Sequence, residues 1–186
     1  LVSSVLSSIA STKKVRMCLD DTLASRWMKE MLIIKEDLEF KGVQFDFSVA
    51  SGDYKKQLNQ AKQFIDEGIE VLIIVPVDGN KAKEIVEYGL SNNTKIIAYS
   101  RLIHHAKIDY FMGFNAEEIG KKQAEYIIKK TIAKNIVILD GPMQDINSQL
   151  IRKGQFSIFN ESIRKGNIKI TEKELTNWSD LEALTK

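Results

Sequence analysis

Residues 70–80 read EVLIIVPVDGN, and this stretch decides the fold class. Val71 to Val75 is an unbroken run of β-branched residues and Leu. With no polar alternation, it suits a central strand of a parallel sheet that helices cover on both faces. The run ends at Pro76, which cannot continue a ladder, and Asp78-Gly79-Asn80 follow. Gly79 is expected to take a turn conformation closed to other residues. A buried strand therefore ends in a polar turn that opens the next helix. In open α/β sheets that edge, outside the carboxyl ends of the strands, is where ligands sit.

The neighbouring segments repeat the pattern. Upstream, Val15–Leu19 reads as a strand ending in Asp20-Asp21, and Ser25 as the N-cap of a helix over Arg26–Phe40. That helix carries Trp27, Met31, Ile34 and Leu38 at helical spacing. Val43–Val49 alternates as a strand, Asp53 caps a helix over Tyr54–Glu67, and Gly42 and Gly68 close the two helices. Downstream come a helix over Lys81–Leu90 and a strand over Lys95–Tyr99, ending in Ser100-Arg101. Four βα units at short intervals predict a parallel, doubly wound sheet whose polar strand ends converge on one edge. The pattern then restarts: a strand over Lys107–Phe114, and a helix over Ala116–Ile132 capped by Asn115, with Ile119, Gln123, Tyr126 and Ile127 along one side. Next come a strand over Asn135–Leu139, a helix over Gln149–Arg164, a strand over Asn167–Thr171, and a helix from Trp178. A second lobe is expected, joined through a crossing strand that serves as a hinge near Asp109–Phe114. The division expected is a tail over 1–14, a first lobe over 15–112 and a second over 113–186.

The 186 residues, 44% hydrophobic and 28% charged with a net charge of +2, describe an ordinary globular chain without a basic stripe for nucleic acid. Cys18 is the single cysteine, which excludes an internal disulfide framework and a multi-cysteine zinc site. It lies inside a strand and reads as core. His104 and His105 are adjacent, so no helical metal pair exists, and they read as loop histidines. There is no GxGxxG, no GxxxxGK[ST] and no GxSxG, and two carboxylates stand where a phosphate loop would be. No nucleophile–base pair presents itself. No enzyme activity, cofactor or metal is expected.

What remains suits a small polyol. Carboxylates and amides serve hydroxyls, a guanidinium donates along a fixed fork, and an aromatic face packs on the C–H face of a sugar. Candidates at strand ends are Asp20, Asp21, Arg26, Asp78, Asn80, Arg101, Asp145, Asn147 and Trp178, with Trp27 as an aromatic at a helix start.

The runs VRMCLDDTLASRWMKE, VLIIVPVDG, KIIAYSRLI, IDYFMGFNAEEIG and DINSQLIRKGQ together resemble the periplasmic sugar-binding proteins, with D-xylose-binding proteins the nearest look. The resemblance runs from about Val15 to the end, and DD-x-x-x-x-RW (Asp20, Asp21, Arg26, Trp27) is its most specific piece. It implies a two-lobed periplasmic-binding-protein type I fold with a sugar between the lobes. It implies pentose contacts at Arg26, Arg101, Asp145, Asn147 and Trp178, to which Asp21, Trp27 and Ser100 are added as site residues. The family usually has Asp-Arg after the fourth strand, and this chain has Ser100-Arg101. Losing that carboxylate removes a charge-assisted acceptor, on the order of 1.5–3 kcal/mol if uncompensated.

The function expected is binding of a pentose, D-xylose first, at the cell surface or in the periplasm, with a membrane sensor histidine kinase or a transport permease as partner. The alternative is a sugar-responsive repressor core of the same fold. It needs a helix-turn-helix, and residues 1–14 are too short and too apolar for one. The start, LVSSVLSSIASTKK, reads either as the remnant of a signal peptide or membrane anchor, or as a tail. The resemblance also implies chains of around 300 residues, so the second lobe is expected to be incomplete within these residues and its sheet to show an exposed edge.

Overall fold

A central strand that is apolar on both faces requires helices on both faces of its sheet, and this arrangement is found. The computed structural model describes residues 13–21, 25–130, 135–142, 145–174 and 180–185. The first layer is β1 (Lys14–Leu19), α1 (Ser25–Phe40), β2 (Gln44–Val49), α2 (Tyr54–Asp66), β3 (Val71–Ile74), α3 (Lys83–Ser91), β4 (Lys95–Tyr99) and β5 (Tyr110–Met112). Its five strands are ordered β2-β1-β3-β4-β5, and every neighbouring pair is parallel. On one face α2 and α3 bury Ala61, Phe64, Ile65, Ile85 and Val86 against Cys18, Leu72, Ile74, Ile96 and Ala98. On the other, α1 buries Trp27 and Met31 against Val15, Met17, Leu19 and Val75. β3 therefore sits centrally, between β1 and β4, as its apolar run demands.

Gly79 departs from expectation. Its φ is not in the left-handed region; the left-handed glycines are Gly42, Gly52, Gly68 and Gly166. Asp78 makes the turn instead, its Oδ1 accepting from the backbone N–H of Asn80 and of Lys81.

The second layer is α4 (Ala116–Lys130), β6 (Asn135–Asp140), α5 (Ile146–Arg164), β7 (Lys169–Glu174) and the short α6 (Asp180–Thr185). β6 and β7 pair in parallel, and among the described residues only with each other. Val137 and Leu139 of β6 are exposed. The buried face of α4 is only partly the expected one: Ile127 packs against the core of Ala124, Ile138 and Phe159. Tyr126 is two-thirds exposed, while Ala116, Gly120 and Ala124 are buried. These small residues, with Gly154 of α5, let the two helices touch backbone to backbone, because a Cβ on either glycine would overlap a carbonyl of the other helix. α5 also begins three residues before the predicted start, with Asp145 as its N-cap. The expected strand over Lys107–Phe114 shortens to β5, an edge strand of the first sheet with Tyr110, Phe111 and Met112 all exposed.

Candidate functional site

Parallel pairing brings the carboxyl ends of β1, β3 and β4 to one edge, and Arg101, just past β4, turns inward there. Its guanidinium is buried. Nη1 donates to Asp20 Oδ2 at 2.5 Å and to the Pro76 carbonyl at 3.1 Å, and Nε pairs with Asp145 Oδ2 at 2.9 Å. One side chain thus ties the end of β1, the turn after β3 and the N-terminus of α5. Of the five N–H bonds of a guanidinium, the two on Nη2 have no partner among the described residues.

Asp20 and Asp145 pay unequally for this arrangement. Burial pushes the Asp20 carboxyl above its usual range, and the Arg101 charge and hydrogen bond pull it back. Its Oδ1 is buried without a hydrogen-bond partner among the described residues. Asp145 has further employment as N-cap, accepting from the Asn147 N–H at 2.9 Å.

Ser100 completes the junction. It has φ 64, in the left-handed region. Its Oγ accepts from Arg26 Nη2 at 2.9 Å, and its carbonyl accepts from Asn147 Nδ2 at 2.9 Å. Arg26 lies over the Trp27 ring, its guanidinium carbon 4.0 Å from the centroid, and Tyr99 meets that ring edge-on at 6.3 Å. Trp27 itself is core, with the guanidinium of Arg26 over one part of its ring.

Arg26, Trp27, Ser100, Arg101, Asp145 and Asn147 line one cavity of about 320 Å³, together with Phe114, Ala116, Ile119 and Ile151. This is at the lower end of small-molecule sites, which span about 300–1,000 Å³, and matches one monosaccharide better than an oligosaccharide. Of the apolar lining, Ala116 and Ile119 come from α4, Ile151 from α5, Trp27 from α1, and Phe114 from the turn before α4. Phe114, Ile119 and Ile151 lie within an expected strand and two expected helices, and no sequence signal marks them as an apolar wall of the site.

One of the expected site residues that the structure describes does not join them. Asp21 lines a wider depression of about 1090 Å³, with Asp53, Tyr54 and Asp78, on the other side of the Arg101–Asp145 pair. Trp178 lies outside the described residues. Asn80 is exposed and lines neither space. Conversely, Asp20, which the resemblance did not make a sugar contact, holds Arg101. Cys18 is fully buried and its thiol is pushed up to about 12 by burial. His104 and His105 line neither space. Among the described residues no group of acidic, His or Cys side chains is arranged to hold a metal, and no helix is long and apolar enough to cross a membrane.

A parallel α/β layer joined to a second one across a cavity at the strand ends is the architecture of a two-lobed solute-binding protein. The chain belongs to the periplasmic binding protein domain family, whose model matches residues 23–186. A D-xylose-binding periplasmic protein of Haemophilus influenzae is 30% identical over 184 residues, covering 97% of this chain and 55% of that one. A carbohydrate transporter solute binding protein from Chloroflexus aurantiacus, in complex with D-glucose, superposes with a TM-score of 0.78 at 25% identity, covering 93% of this chain and 54% of that one. The fructose binding periplasmic domain of a hybrid two component system gives 0.79 at 24% identity, over 92% and 56%. This chain spans about half the length of the curated relatives it matches.

Proposed function

We propose that this chain contributes to a non-enzymatic monosaccharide-binding protein whose ligand is a pentose, D-xylose first, held in the 320 Å³ cavity. The observation that carries this is the meeting of Arg26, Ser100, Arg101, Asp145 and Asn147 around one space of monosaccharide size. These groups alternate donors and acceptors, as a ring of hydroxyls requires. Arg101 is fixed by Asp20 before any ligand arrives, so little ordering entropy is left to lose on binding. The likeness to a D-xylose-binding periplasmic protein points to the same sugar.

The lobes divide near residue 112, and closure turns about Asp109–Phe114. Placement outside the cytoplasmic membrane follows the names of the relatives, and the apolar start at Leu1 fits a tether. The closed form is read by a membrane partner, either a sensor histidine kinase or a permease. Calorimetric titration with D-xylose, D-ribose, L-arabinose and D-glucose tests the ligand: heat with a pentose is expected, and silence with all four refutes the reading. Pull-down from detergent-solubilised membranes, with and without sugar, tests the partner; recovery of soluble proteins alone counts against it.

A further inference from the structure

Ile146, the first residue of α5, is buried to 4% exposure, yet it belongs to none of the three apolar cores. Its side chain reaches the turn after β3. A Cβ placed on Gly79 would lie 2.5 Å from Ile146 Cδ1 and 2.6 Å from the Leu102 carbonyl oxygen. Both are closer than real Cβ contacts, so the absent side chain of Gly79 makes a notch, and Ile146 fills it. The notch is held firm: the Gly79 carbonyl accepts from the His104 N–H at 2.9 Å, and Asp78 caps the adjoining residues. Asp145 and Asn147 flank Ile146 in sequence and make the two polar contacts to Arg101 and Ser100.

We propose that Ile146 is the positioning residue of the site. Seated over Gly79, it holds the first turn of α5 where Asp145 and Asn147 can reach the cavity. This rests on the reading of that cavity as the sugar site. The mechanism is geometric. Both polar contacts are short and directional, and neither tolerates a shift of an ångström. Further along, α5 is anchored by its close contact with α4 and by the ion pairs of Arg152 with Asp140 and Glu172; at its start the Asp145 N–H donates to the Pro142 carbonyl, and the apolar contact there is that of Ile146 with Gly79. A β-branched side chain with one staggered preference in a helix defines that turn better than a flexible one. Gly79 is therefore needed for close approach and not for its backbone freedom.

The test uses Ile146→Ala and Ile146→Val in the full chain, with two readouts. Hydrogen exchange at the Asn147 and Ser148 amides, without sugar, reads the seat directly, since the first donates to the Asp145 side chain and the second to its carbonyl. Exchange there is expected to rise at least tenfold in Ile146→Ala and to stay within about threefold of the parent in Ile146→Val, with β6 and β7 unchanged. D-xylose affinity is expected to fall about tenfold in the Ala variant and to be kept in the Val variant. Unchanged exchange at both amides in Ile146→Ala overturns the proposal, as does exchange that rises equally through β6 and β7, the mark of a general packing role. Changed exchange with a parent that binds no sugar leaves the positioning role standing and refutes the sugar reading instead.

Discussion

Replacing Arg101 by Ala removes the one side chain that touches β1, the turn after β3 and α5 at once. Asp20 and Asp145, whose side chains are 10% and 7% exposed, would each lose the cation they face. Removing one partner of a buried ion pair costs about 3–5 kcal/mol, because the other charge is left buried and unpaired. Asp20 limits that loss. Its carboxyl is already pushed up by burial, and loss of the Arg101 charge would disfavour the ionised form further. We therefore expect the low end, about 3 kcal/mol, which at roughly 2–4 °C per kcal/mol for a chain of this size lowers the melting temperature by about 6–12 °C. D-xylose binding loses a charged donor as well, worth about 1.5–3 kcal/mol, or roughly 10- to 150-fold in affinity. Arg101→Lys keeps the charge but not the fork, and is expected to recover part of the stability and little of the affinity. Calorimetric melting and titration on the three proteins read both effects. An Ala variant that melts within about 2 °C of the parent and binds within twofold of it would refute the assignment of Arg101 as the centre of the site.

Other outcomes follow from single residues. Ser100→Asp gives Arg26 a carboxylate, and Asp tolerates the left-handed backbone at φ 64; D-xylose affinity is expected to rise about tenfold or more by titration, and no gain would mean that Arg26 does not face the ligand. Gly154→Ala gains about 1 kcal/mol of helix preference, but its Cβ would overlap the Glu117 carbonyl. Overpacking of about 1–3 kcal/mol or more prevails, so the melting temperature should fall; a rise would show that the α4–α5 contact is looser than described. Cys18, with its thiol raised to about 12, should stay unreactive toward a thiol reagent at pH 8 until the chain unfolds. Because the folded state holds that proton more tightly, its contribution to stability is intact below pH 9 and is lost as pH rises through about 12. The difference in melting temperature between the parent and Cys18→Ser, followed from pH 8 upward, should show this slope.

Much of the first layer was legible because its signals are local. The apolar run Val71–Val75 marks a strand covered on both faces, and β4 falls on Lys95–Tyr99 as expected. Asp53 caps α2 through its side chain, accepting from the Lys55 and Lys56 N–H groups. The misses have physical causes. The buried residues of α4 are Ala116, Gly120 and Ala124, whose small side chains carry almost no hydrophobic signal, so periodicity finds Ile127, which packs against the core, but also the exposed Tyr126. The start of α5 was placed late because its apolar first residue, Ile146, serves the turn at Gly79 and not its own sheet. The commoner role of a glycine after a strand is a backbone turn, whereas the structure uses Gly79 for close approach. Asp20 and Asp21 are adjacent past β1, and side chains alternate along a strand; sequence cannot say which of the two faces Arg101. Arg26, Arg101, Asp145 and Asn147 are candidates from their place at strand ends, but only the resemblance narrows that longer list to them, since Arg26 and Asn147 are 121 residues apart and no spacing rule joins them.

A crystal structure of the protein grown with D-xylose tests the central claim most directly. The account predicts one sugar in the space over Trp27, with hydroxyls within about 3.2 Å of Arg101 Nη2 and of the Arg26 and Asn147 side chains. A sugar lodged instead in the depression lined by Asp21, Asp53, Tyr54 and Asp78, or a cavity over Trp27 left empty at saturating D-xylose, would contradict it.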